Sequence, residues 1–274
     1  MNFKKYTLSV QDIRSETDET ITLCFKQPSL RKIKYQAGQY ITLIVMINGR
    51  KYARPYSFSS SPSIDSSLEV TIKRVSQGIV SNYLNTEVKI GDVIEVLEPM
   101  GDFTYNFKNL KHSVYFWGVG SGITPLYSII KEVLHTQPNA VVHLIYGNKN
   151  QESTIFRNQL NLLKQEYPSV FTMSNFYSQV DKNEKIDAFY KGRISSEFVT
   201  NLVVQHENLK ESLHYICGPK SLKDTIQSSL IDLKVPSSSI FVEEFELVML
   251  AQINGQTIAR RVGYYSTNQG TIYL

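Results

Sequence analysis

The hydrophobic rhythm of the chain changes near residue 110, and that change limits the fold more than any other feature. Up to about Tyr105, apolar residues come in short runs of period two, at 6–13, 19–27, 40–47, 68–75 and 92–99. Such alternation puts successive side chains on opposite faces of a strand. Gly38, Asn48-Gly49, the polar stretch 61–65 and Gly91-Asp92 separate the runs with turn chemistry. The spacing predicts an antiparallel β-barrel with one short helix over 79–88. Beyond residue 110, strand-like runs at 114–120, 140–147, 170–178 and 212–218 are mostly followed by helical patterns, at 124–135, 155–167 and 221–233. Strands that alternate with helices build a doubly wound parallel sheet.

The 274 residues suffice for two medium cores, so the break divides the chain into a unit over 1–106, a second over 107–245 and a tail over 246–274. The net charge of +4 is spread along the chain, which argues against a nucleic-acid surface. Two distant cysteines, Cys24 and Cys217, supply neither a disulfide framework nor the ligands of a zinc or iron–sulfur site. Any redox chemistry therefore falls to a bound cofactor. The longest apolar run, 41–47, is too short to span a bilayer, and the N-terminus carries no apolar signal core. We expect a cytoplasmic chain with no membrane insertion and no metal. The five histidines show no ligand spacing and are read as structural or solvated.

In an open parallel sheet, ligands bind beyond the carboxyl ends of the strands. The turn GVGSGITP brings Gly118, Gly120 and Gly122 to such an end, and Thr124 and Pro125 then open a helix whose unpaired N–H groups favour phosphate. Ile123 stands where G-x-G-x-x-G has its third glycine, and no acid follows directly on the next strand to hold a ribose. An ordinary dehydrogenase nucleotide fold is disfavoured. In the barrel half, RPYSFSSSP offers a permanent planar cation at Arg54 and a flat ring at Tyr56. Ser57 and Ser60 add hydroxyls suited to a heterocycle edge or phosphate oxygens. Gly78 and Ser81 mark a second anion-ready helix start. All of these suit a bound dinucleotide.

The same residues, in this order, resemble the ferredoxin–NADP reductase superfamily. Arg54, Tyr56, Ser57 and Ser60 match its flavin motif, Gly78 and Ser81 its second flavin motif, and 91–103 the end of its flavin barrel. GSGITP is similar to its nicotinamide-dinucleotide motif, YICGP to its Cys-Gly-Pro motif, and IFVEEF to the Glu-x-Phe that closes the reductase module. The resemblance implies FAD, with Arg54 on its pyrophosphate, Tyr56 on the isoalloxazine, Ser57 at the N5 edge, and Gly78 and Ser81 on the other side of the pyrophosphate. It implies that Gly120, Gly122, Thr124 and Pro125 cradle the diphosphate of NADPH or NADH. Cys217, Gly218 and Pro219 would then line the nicotinamide pocket, with Glu243 and Phe245 near the flavin. Within this motif Cys217 is expected to position rather than attack.

Two departures shape the functional expectation. Relatives that continue into a plant-type ferredoxin domain carry four cysteines there, whereas residues 246–274 have none. The tail is expected to form a β-hairpin turning at Asn254-Gly255, resembling a ferredoxin domain without its cluster, packed on the body and available for pairing with a second copy. NADPH-using relatives often carry Ser-Arg after the third parallel strand; here Ser178 is followed by Gln179, with Asp181, Lys182 and Lys185 close by. NADPH and NADH both stay open on that evidence. The expected activity is an FAD-dependent NAD(P)H reductase serving a separate acceptor, a ferredoxin-like protein or an oxygenase component. Its alternatives are a reductase that releases reduced flavin and a non-catalytic nucleotide-binding subunit.

Overall fold

A computed structural model describes residues 3–28, 32–105, 113–180, 189–205 and 211–244, together with the backbone of 246–253 and 256–263. Phe245, Asp181, Lys182, Lys185, His112, His206 and the Asn254-Gly255 turn lie outside the described residues.

The first half forms strands β1 (Lys5–Thr17), β2 (Thr20–Phe25), β3 (Tyr40–Ile47), β4 (Arg50–Ser57), β5 (Leu68–Lys73) and β6 (Val93–Leu97), with helix α1 (Ile79–Thr86) between the last two. They make one antiparallel sheet in the order β4-β3-β6-β1-β2-β5. The long strand β1 serves two partners: Lys5–Ser9 pairs with β6, and a register shift after Val10 turns the remainder onto β2. Such an irregularity bends a strand and increases its twist, which lets the sheet curl. Beyond β4, Phe58 bridges Val70 of β5 and the Ser59 N–H donates to the Glu69 carbonyl, closing the curl. Alternate residues Ile41, Leu43 and Val45 enter the barrel core beside Leu23, Phe25, Phe58 and Val70. Ile44, on the opposite face of β3, packs with Ala53 and Leu97. Both faces of β3 are thus covered, so its sequence reads as one continuous apolar run.

The second half contributes β7 (Ser113–Val119), α2 (Ile123–Thr136), β8 (Val141–Asn148), α3 (Arg157–Glu166), β9 (Phe171–Tyr177), β10 (Tyr190–Lys191), α4 (Ser196–Val204), β11 (Leu213–Cys217), α5 (Lys220–Asp232) and β12 (Ile240–Val242). Their sheet is parallel throughout, in the order β10-β9-β8-β7-β11-β12. Val114 and Phe116 of β7 face the core built with α2 and α3. Tyr115 and Trp117 face the one built with α4 and α5. Burial on both faces again accounts for the apolar run. Strand β10 and helix α4 had no counterpart in the sequence reading. The Ser195 side chain accepts from the Phe198 N–H and caps α4, a signal present in the sequence but set in a short, weakly periodic segment.

Strands β13 (Glu246–Ile253) and β14 (Gln256–Gly263) pair antiparallel, from Glu246 opposite Gly263 to Ile253 opposite Gln256. Strand β13 runs alongside β4 of the barrel sheet.

Candidate functional site

The parallel sheet reverses direction of growth between β7 and β11, because β8 is added on one side of β7 and β11 on the other. At such a point two strand-end turns diverge and leave a crevice. Here the turns are Gly120–Gly122 after β7 and Cys217–Pro219 after β11, and they touch. A Cβ at Gly122 would stand 2.3 Å from the Cys217 carbonyl oxygen and 3.1 Å from the Gly218 nitrogen. Only a residue without a side chain permits that approach. Gly120 adopts φ +55, a left-handed conformation glycine takes without strain, and its carbonyl accepts from the Tyr146 hydroxyl at 2.9 Å. The buried Thr124 hydroxyl donates to the Ser121 carbonyl at 3.0 Å, and buried Pro125 sits in the first turn of α2. No side chain caps α2 or α5, so their first N–H groups remain suited to an anion.

The barrel carries the matching half. Arg54, Tyr56 and Ser57 lie on β4, an edge strand of the sheet, where they pair with Leu43, Ile41 and Tyr40 of β3. Arg54 is half-buried, its Nη1 donates to the Ala53 carbonyl at 2.8 Å, and among the described residues no carboxylate forms an ion pair with it. Gly78 precedes α1, which also starts without a side-chain cap. The Ser81 hydroxyl folds back on this turn, accepting from the Val75 N–H at 3.1 Å and donating to the Gly78 carbonyl at 3.4 Å. A Cβ at Gly78 would meet that hydroxyl at 2.5 Å.

Ser60 takes a framework position. It is fully buried; its hydroxyl accepts from Tyr35 at 2.7 Å and from the Glu69 N–H at 3.0 Å, and its carbonyl accepts from Ser128 of α2 at 2.6 Å. Instead of facing a heterocycle or phosphate, it ties the end of the β4 segment to the second domain.

Where the halves meet, Tyr40, Gly101 and Phe103 of the barrel and Ile240–Glu244 at the end of the parallel sheet line a cavity of about 340 Å³. Tyr40 is the cross-strand partner of Ser57, so Glu243 and the end of β4 converge on one seam. Glu243 is buried, its N–H donates to the Ile216 carbonyl at 3.0 Å, and its carbonyl accepts from Lys223 Nζ at 3.3 Å. Cys217 is completely buried; burial, reinforced by the nearby Glu243 charge, pushes its thiol pKa up. A thiol held neutral in this way is a poor nucleophile.

A second cavity, of about 530 Å³, opens over the ends of β7, β8 and β9 and contains Gly120, Ser178 and Pro219. Its walls also hold Lys149, Arg193 and, from β5 of the barrel, Lys73. The sequence reading missed these cations because each is a surface-type residue in a separate segment. Among the described residues, no group of three or more His, Cys, Asp or Glu side chains is placed to hold a metal ion.

An uncapped, glycine-preceded helix start in each half, with a cavity where the halves meet, suits a flavin- and nicotinamide-binding oxidoreductase. The comparisons agree: an oxidoreductase FAD-binding domain matches residues 7–105, and an oxidoreductase NAD-binding domain matches residues 116–228. The chain belongs to the ferredoxin–NADP reductase superfamily. It is 33% identical over 241 residues to the ferredoxin reductase component of a 3-ketosteroid-9-alpha-monooxygenase from Rhodococcus rhodochrous, covering 87% of this chain and 64% of the relative. It is 31% identical over 245 residues to one of the subunits of the 1,2-phenylacetyl-CoA epoxidase of Escherichia coli (strain K12), covering 88% of this chain and 67% of that relative. The chain thus spans about two thirds of the length of these relatives. A ferredoxin NADP+ reductase from Neisseria gonorrhoeae, solved with bound FAD and NADP, shares the fold at a TM-score of 0.72 and 20% identity, over 88% of this chain and 99% of the other.

Proposed function

We propose that this chain takes hydride from NAD(P)H with FAD and passes the electrons to a separate acceptor protein, a ferredoxin-like carrier or an oxygenase component. The observation that carries this reading is the meeting of the two halves: the Gly120–Gly122 turn touches the Cys217–Pro219 turn, and Glu243, one strand away, lines a cavity with Tyr40, Gly101 and Phe103 of the barrel half. The Rhodococcus and Escherichia relatives are named as components of a monooxygenase and an epoxidase, which supports an acceptor on a separate chain.

When bound, a nicotinamide dinucleotide would supply hydride chemistry and FAD the means to take an electron pair and release single electrons. The protein's work is binding and orientation. Arg54 supplies the charge for the FAD diphosphate, with Gly78 and Ser81 opening the helix terminus opposite it. Tyr56 offers its ring face to the isoalloxazine and Ser57 its hydroxyl to the N5 edge. Gly120, Gly122, Thr124 and Pro125 form the second diphosphate cradle. Cys217, Gly218 and Pro219 shape the nicotinamide pocket, and Glu243 closes the seam from the parallel sheet. The flavin unit is taken as 1–106, the nicotinamide unit as 107–245, and 246–274 as an added hairpin that offers a place for a second copy. A cytoplasmic location belongs to the same proposal, as the two cysteines are unpaired and buried.

Anaerobic titration tests this directly. The purified protein is expected to be yellow, to bleach on addition of NADPH or NADH, and to recover its colour on mixing with an oxidised ferredoxin. Protein that cannot take up FAD would overturn the reading. Efficient turnover of added free flavin, with no prosthetic FAD retained, would replace it with flavin release.

A further inference from the structure

Building on the proposed reductase function, we infer that Lys223 is a positioning residue, which fixes the chain at Glu243 and Glu244 relative to the Cys217–Pro219 turn. Lys223 lies in the first turn of α5. Its backbone N–H donates to the Pro219 carbonyl at 3.2 Å, so its main chain is anchored on the turn itself. Its side chain reaches the other segment: Nζ donates to the Glu243 carbonyl at 3.3 Å and to Glu244 Oε2 at 2.6 Å. One residue therefore joins the turn that follows β11 to the chain that leaves β12. On the proposed function the turn shapes the nicotinamide pocket, and Glu243 and Glu244 line the 340 Å³ cavity at the seam.

The surroundings of the lysine distinguish it from a surface ion pair. Its side chain is 12% exposed, whereas that of Glu244 is 70% exposed. A mostly buried ammonium is costly unless its N–H groups find acceptors, and here two consecutive residues of one segment supply them. The exposed carboxylate alone would hold it loosely, because such pairs contribute little. The Glu243 carbonyl supplies the definite end point, since Glu243 is buried and its N–H donates to the Ile216 carbonyl at 3.0 Å, beside the pairing of Val242 with Ile216. Glu243 is thus tied by its N–H to β11 and by its carbonyl to α5. The completely buried Cys217 thiol lies within range of the same charges: Glu243 and Glu244 push its pKa up, and Lys223 draws it down.

Two substitutions separate position from bulk: Lys223→Met keeps an apolar stem and removes the donor, and Lys223→Arg keeps donors for both acceptors. In stopped flow on the FAD-loaded protein, Lys223→Met should lower the limiting rate of flavin reduction by roughly tenfold to a hundredfold, the scale of a small misplacement. The dinucleotide Kd should stay nearly unchanged, and Lys223→Arg should recover most of the rate. Hydrogen exchange on the FAD-free protein gives a readout independent of turnover: in Lys223→Met the amides of 240–244 should exchange faster while those of β2 and β5 do not. A Lys223→Met protein reduced at the wild-type rate overturns the inference. Slowing accompanied by faster exchange in β2 and β5 overturns it too, because the loss is then one of general stability. If Lys223→Met does not fold, Glu244→Ala takes its place, with faster exchange at 240–244 expected and wild-type exchange overturning the inference. Wild-type protein that bleaches while the variants match it sinks this inference alone; wild-type protein bleached by neither NADPH nor NADH sinks the proposed function and this inference with it.

Discussion

His214 is the residue whose environment most clearly sets a measurable property. It is fully buried on β11, stacked on Tyr115 with ring centroids 4.9 Å apart. Trp117 Nε1 donates to its Nδ1 at 3.3 Å, which leaves Nε2 to carry the proton toward the Ser212 hydroxyl at 2.9 Å. Burial lowers its pKa to about 3, so the folded protein stays neutral there while the unfolded chain binds a proton below about pH 6.5. The folded state therefore holds fewer protons in that window, and stability, complete above pH 6.5, falls as pH falls toward 3. Urea unfolding at pH 7 and pH 5 should show the wild type losing about 2 kcal/mol more than His214→Gln; equal losses would contradict the assignment. At Gly122, alanine would force a Cβ onto the Cys217 carbonyl. Gly122→Ala should cost about 1–3 kcal/mol of stability and weaken dinucleotide binding while FAD is retained, as thermal unfolding and flavin absorbance will show. Arg54→Ala should weaken FAD retention by about tenfold to a hundredfold, and ultrafiltration of the loaded protein measures this.

At the scale of elements, α2 works at both ends. Its start follows the Gly120–Gly122 turn, and one of its faces, Ser128, Lys131 and Glu132, grips the chain that follows β4. Ser128 donates to the Ser60 carbonyl, Glu132 accepts from the hydroxyls of Ser61 at 2.5 Å and Ser63 at 2.6 Å, and Lys131 pairs with Asp65. The three helix residues fall at i, i+3 and i+4, one face of the helix. The serines that look in sequence like a solvated loop are thus partners of a helix more than sixty residues away. We expect Glu132→Ala to cost about 2 kcal/mol and, on the proposed function, to slow flavin reduction in stopped flow at unchanged FAD content, because α2 is then less firmly set against the chain that follows β4. An unchanged rate would reduce this contact to a stability element.

For the whole molecule, the hairpin raises the main question. A lone two-stranded hairpin is marginal in water, and β13 runs alongside β4, the strand that carries Arg54, Tyr56 and Ser57. A chain ending at residue 245 should therefore melt at a lower temperature and lose FAD faster than the full chain. The check is differential scanning fluorimetry followed by flavin release on dilution. If both properties are unchanged, the hairpin contributes nothing to the flavin unit.

The sequence by itself determined the two-part architecture, because the switch from period-two runs to strand–helix alternation is a local property of neighbouring residues. It also marked Gly78, whose close neighbours Val75 and Ser81 lie in the same turn, as a place that only glycine fits. Tertiary structure alone decided that Ser60 faces the interior, that Gly122 rests on Cys217, and that Lys73, Lys149 and Arg193 share one cleft. Each of these depends on segments brought together by strand order. No local pattern in a single sequence records which distant turn will become a neighbour, whereas the reversal of the parallel sheet between β7 and β11 fixes that neighbour geometrically.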